Sequence, residues 1–116
     1  MKKVLFTFAA LLMTAQCFAA TVYIEEYSDS IPVTRYQAAV APGLAKQTVA
    51  IGGSSTQSAA FGANTRLIRV HADSICSIEI GGTNPTATTT SARFVAGQTE
   101  YFLVNAGDKL AVITNT

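Results

Sequence analysis

The chain is poor in the residues that carry most protein chemistry. Histidine occurs once, at His71, and cysteine twice, at Cys17 and Cys76. A metal centre needs several converging ligands, and this stock does not supply them. Charged residues make up only 13% of the chain, and the formal net charge is +1. A nucleic-acid binder shows a strong, clustered basic excess, which is absent here. The charge content is also low for a domain that stays soluble as a free monomer, where about 25–35% of the surface is charged. Alanine, threonine, serine and glycine fill the gap. Such a surface suits burial against neighbours, which points to an assembly component.

The apolar residues are grouped at the start. Lys2 and Lys3 precede an almost unbroken apolar run from Val4 to Met13. Cys17 and Ala19 then stand at −3 and −1 of a cut after Ala19, which is the grammar of a secretory signal peptide. The run is shorter than the roughly 20 residues a membrane-spanning helix needs, so no stable span is expected once it is removed. Gln16 before Cys17 argues against a lipid-modified cysteine. The chain divides into a leader-like segment, 1–19, and one small domain, 20–116. Without the leader the domain keeps 6 basic and 7 acidic residues. Cys17 leaves with it, so Cys76 has no intrachain disulfide partner.

The domain shows short β-branched and aromatic runs cut by Gly, Pro, Asn and Asp, and no helical periodicity with caps. "TVYIEEY" places Val22 and Ile24 on one face and Tyr23, Glu25 and Tyr27 on the other. "IPVTRY" follows, with Pro32 confining it to an edge or an irregular segment. "AVAPGLA" is a connector and "KQTVAI" a strand. "TRLIRVHADSICSIEIGG" alternates twice around "ADS", with Ile68, Val70, Ala72, Cys76, Ile78 and Ile80 facing the core. Arg69, His71, Ser77 and Glu79 then fall on the wet face, and the two runs are expected to form a hairpin. "TEYFLV" and "KLAVIT" around "NAGD" are expected to form a second, with Gly107 taking a positive φ. Seven or eight strands at short spacing predict an all-β domain, an antiparallel sandwich or jelly-roll-like barrel.

No residue is assigned a catalytic, cofactor-binding or metal-ligating role. His71 with Asp73 and nearby serines has the residue types of a triad, but positions two apart on a strand do not build one, and no "GxSxG" turn is present. Cys76 lies in an apolar alternation, where a cysteine acts as a small hydrophobe. Glu25, Glu26 and Asp29 read as a solvated acidic edge. "GGSSTQS" lacks the lysine of a phosphate loop. "TNPTATTTS" is either an interaction loop or a tolerated surface loop. Asn84 precedes Pro85 and is no glycosylation site.

From "FGANTRLIRVHADSICSIEIGG" through "TNPTAT" and "AGQTEYF" to "KLAVITNT", the chain resembles small structural proteins of tailed bacteriophages and prophages. "TVYIEEY" and "QTVAI" match more loosely. The resemblance implies a non-enzymatic virion protein, a head decoration or cement protein. Its implied partners are the major capsid protein or other virion proteins, and further copies of itself as a homo-oligomer, a trimer by analogy. The family pattern has one glycine before "TNPTAT", where this chain has Gly81 and Gly82. Family members begin near "ATVYIEEY" and seldom carry export signals. The alternative expectation is an exported, periplasmic or secreted β-sandwich that binds a ligand or the cell surface. Expression of the full chain in a Gram-negative host should yield periplasmic protein whose intact mass begins at Ala20. Full-length protein confined to the cytoplasm would count against export and favour a start codon placed too far upstream.

Overall fold

The computed structural model describes residues 19–28, 30–33, 36–39 and 43–116, the second and third of these ranges by backbone alone. Most of the leader-like segment, residues 1–18, and Asp29 of the acidic run lie outside the described residues. The strands are β1 (Thr21–Tyr27), β2 (Ser30–Val33), β3 (Tyr36–Ala39), β4 (Ala45–Ala50) and β5 (Thr56–Gln57). They continue with β6 (Leu67–Ala72), β7 (Cys76–Ile80), β8 (Ala92–Phe94), β9 (Thr99–Leu103) and β10 (Leu110–Thr114). Eight of them form two antiparallel four-stranded sheets, β4-β1-β6-β9 and β5-β10-β7-β8. Among the described residues β2 and β3 pair only with each other, so "IPVTRY" is divided between two strands and Pro32 lies in a two-stranded ribbon, where a strand proline is tolerated.

The order of strands is that of a jelly roll. From β4 onward every connection crosses between the sheets except β7 to β8, which are neighbours. The N-terminal strand β1 completes the first sheet from between β4 and β6. Its start lies close to the end of β10: Ile51 N–H donates to Ala20 C=O at 2.9 Å and Thr114 N–H to Gly52 C=O at 2.9 Å.

Both expected hairpins are instead arches between sheets. Strand β6 is already paired on its two edges with β1 and β9, and β7 with β10 and β8, so β6 and β7 have no free edge for each other. Likewise β9 belongs to the first sheet and β10 to the second. Alternation cannot separate the two cases. In a hairpin the apolar side chains lie side by side on one sheet. In an arch they face one another across the core. Gly107 does take a positive φ, +84°, in the β9–β10 arch, and its N–H donates to Phe61 C=O at 3.0 Å.

The core is the interface between the sheets. The first sheet supplies Val22, Ile24, Val49, Ile68, Val70 and Ala72, and the second Cys76, Ile78, Phe94, Leu110 and Val112. Phe61 and Val104 close it at one end, on the loops flanking these strands. Glu26 continues the inward parity of Val22 and Ile24 and is only 4% exposed, which corrects its placement on a solvated edge. Its Oε1 accepts from Gly62 N–H at 2.9 Å and Thr65 Oγ1 at 2.8 Å, and its Oε2 from Gln47 Nε2 at 3.4 Å. Gln47 Oε1 also accepts from Ala59 N–H at 2.9 Å. One carboxyl group thus pins the β5–β6 loop to β1 and β4. Glu26→Ala leaves the buried Thr65 hydroxyl and the partly buried Gly62 and Gln47 donors without their acceptor and should cost about 3 kcal/mol, with Glu26→Gln costing less. Urea unfolding checks this, and an unshifted midpoint for Glu26→Ala would remove the latch.

Candidate functional site

The outer faces of the two sheets differ. The outer face of the second sheet is partly covered by the chain's own threonine-rich loop, which buries Ser77 and Ala111 and leaves Glu79 and Arg93 exposed. Pro85 and Ala87 of that loop are buried. Gln57 Nε2 donates to Asn84 Oδ1 at 2.7 Å and Pro85 C=O at 2.9 Å. Ala87 N–H donates to Ser55 Oγ at 2.9 Å. Asn115 Nδ2 bridges Ser77 Oγ at 2.7 Å and Thr89 C=O at 3.0 Å. Ser77, expected on the wet face, is therefore fully buried, and its hydroxyl is satisfied there. The loop acts first as a structural cover, although Thr86, Thr88, Thr89 and Thr90 still face solvent.

The first sheet carries an open groove of about 570 Å³ on its outer face. Register builds it. Tyr23 of β1 stands between Thr48 of β4 and His71 of β6, and one row on Glu25 stands between Lys46 and Arg69. Thr99 and Tyr101 of β9 extend the two rows beyond His71 and Arg69. Tyr23, Glu25, Lys46, Thr48, Arg69 and His71 line the groove, with Ile24 and Gln47 along the same strands, and the β9 residues lie outside it. Tyr23 is 47% exposed, and its ring lies 6.3 Å from that of His71, tilted by 47°. Lys46 Nζ pairs with Glu25 Oε1 at 3.5 Å, but Lys46 is largely exposed, so the pair adds little stability. At the end of the Glu25 side, Tyr27 and Leu67 share the outward parity and are nonetheless buried. Burial pushes the Tyr27 hydroxyl above its ordinary range, and the neighbouring Glu25 carboxylate adds to it.

The groups singled out in the sequence are not brought together as a catalyst. His71 Nδ1 lies 2.7 Å from Thr99 Oγ1, a cross-strand hydrogen bond between β6 and β9. Asp73 Oδ1 accepts from Thr21 N–H at 2.6 Å and anchors the start of β1 instead of orienting His71. Among the described residues no three His, Cys, Asp or Glu side chains converge as metal ligands. The groove itself was missed by sequence reasoning. Its only signal was the set of outward positions on two runs, which parity identifies but pairing alone assembles.

Compared with known proteins, the chain matches no family model, no curated protein and no solved structure.

Cys76 is fully buried in the core. Burial pushes its thiol up to about 11 from 9.0, with the Asp73 carboxylate adding a smaller push. In native protein it should react slowly with a thiol reagent, and quickly after denaturation. The neutral thiol is favoured by folding, so this contribution is intact below pH 9 and is lost as pH rises towards 11. Cys76→Ala should flatten that alkaline loss, followed by urea unfolding across this range. Rapid labelling of native protein would refute the burial.

Proposed function

We propose that the protein is a non-enzymatic structural component of a tailed-phage or prophage particle, a decoration or cement protein. It binds the major capsid protein or another virion protein and self-associates, as a trimer by analogy with decoration proteins. The observation that supports this best is the open edge of the first sheet. Among the described residues strand β9 is paired on one side only, with β6. It carries Tyr101, 55% exposed, and Leu103, 69% exposed, on the outward face. Its one charged residue is Glu100, and it has neither proline nor lysine. Edge strands of isolated domains are usually blunted by such residues, because unpaired N–H and C=O groups recruit further strands. Glu100 is the single charge that guards this edge, and exposed Tyr101 and Leu103 beside it, on a chain with 13% charged residues, fit a domain whose edge is covered in use. The resemblance carried by residues 61–116 supplies the nature of the partner.

A second reading, an exported β-sandwich that binds a ligand, is favoured by the groove around Tyr23. The two readings use different parts of the first sheet and are separable by experiment. Protein beginning at Ala20 should be a homotrimer by light scattering coupled to size-exclusion chromatography. It should co-sediment with emptied capsids of its own phage without nucleic acid. Leu103→Lys should reduce it to monomer. A monodisperse wild-type monomer that ignores those capsids would overturn the cement reading.

A further inference from the structure

The groove on the first sheet combines features that select one ligand chemistry. Its volume, about 570 Å³, lies within the roughly 300–1,000 Å³ typical of small-molecule sites. Its side chains stand on adjacent strands held in continuous ladders, so their spacing is set before any ligand arrives. Tyr23 offers a half-exposed aromatic ring. Around that ring stand an acceptor, Glu25, a hydroxyl, Thr48, and the donors Lys46 and Arg69, with His71 beside it.

Other ligand classes fit poorly. An extended peptide gains affinity by pairing with a sheet edge, and this groove lies on a face between paired strands. A planar base gains most when held between two parallel rings, and the rings of Tyr23 and His71 are inclined at 47°, which leaves it a single stacking face. A purely apolar molecule would strand the buried sides of Glu25 and Arg69 without partners. A saccharide matches both halves of the site. Its C–H face stacks on an aromatic ring, and its hydroxyls need donors and acceptors at close spacing. Glu25 is offset by Lys46 at 3.5 Å, which leaves Arg69 as the excess positive charge in the groove. A guanidinium fork recognises a carboxylate with two parallel bonds.

We propose that this groove binds a saccharide that carries a carboxylate, with the sugar ring on Tyr23 and the carboxylate on Arg69. The inference does not rest on the capsid reading, and binding is read on the purified protein alone. The test is an amide-resolved NMR titration of the protein obtained from the full-length gene. The probes are tetragalacturonate, neutral chitotetraose and adenosine monophosphate. Tetragalacturonate should shift the amides of Tyr23, Glu25, Lys46, Thr48, Arg69 and His71. Tyr23→Ala and Arg69→Gln should each weaken it by about tenfold or more. Tyr23→Leu keeps apolar bulk without the ring and should weaken it similarly, which separates loss of stacking from loss of folding. Chitotetraose should bind more weakly and be insensitive to Arg69→Gln. No shift with tetragalacturonate at millimolar concentration, shifts confined to another face, tighter binding of the nucleotide, or unchanged affinity in the Tyr23 variants would each overturn the proposal.

Discussion

Everything in this molecule is ordered around strand β1. It pairs with β4 on one side and β6 on the other over almost its whole length. Because its side chains alternate, the two ladders settle at once which residues fill the core and which face outward. Val22 and Ile24 enter the core against Val70 and Ala72, while Tyr23 and Glu25 form the spine of the groove. A shift of one residue would put Tyr23 and Glu25 into the core and Val22 and Ile24 into water. The apolar facing layers make that shift too costly to compete.

The same parity explains the buried carboxyl group. Glu26 is the third inward residue of β1, at the end where the core opens. A carboxyl group there is tolerable only with donors, and the β5–β6 loop brings Gly62 N–H and the Thr65 hydroxyl to it. No buried side-chain polar atom lacks a partner among the described residues. The polar sequence of this domain is therefore consistent with a stable interior: its threonines, serines and amides are spent on closing loops over sheet faces and ends. Asn115 and Gln57 do this for the threonine-rich loop, and Gln47 for the segment around Ala59.

Covering part of one outer face with a loop and leaving the centre of the other open makes the two sheets unequal among the described residues. The second sheet has its loop, with Pro85 and Ala87 packed inward. The first keeps a groove at its centre and an open edge at β9. The edge and the groove differ in kind as contact surfaces. The edge offers backbone groups and exposed Tyr101 and Leu103, suited to another protein. The groove offers a ring and fixed polar groups, suited to a small polyhydroxylated ligand.

The all-β class, the inward set from Val22 to Ile80 and the turn glycine at position 107 were legible in the sequence, whereas Leu110 and Val112 were assigned to the core only by the structure. Each depends on local alternation or on one residue's backbone freedom. Burial of Cys76 followed from the same alternation. What alternation cannot carry is the identity of a strand's neighbours. The runs at Leu67–Ala72 and Cys76–Ile80 read the same in a hairpin as in an arch, and only competition for strand edges sent them to opposite sheets. Ser77 looked solvent-facing because its cover, the loop after Gly82, comes from elsewhere in the chain. The groove likewise joins residues from β1, β4 and β6 that are up to 48 positions apart, from Tyr23 to His71. Sequence periodicity determined which side of each strand is apolar, because that is a property of one strand. Tertiary structure alone decided which strands lie side by side, because hydrogen-bond pairing and core closure are satisfied by the whole chain together.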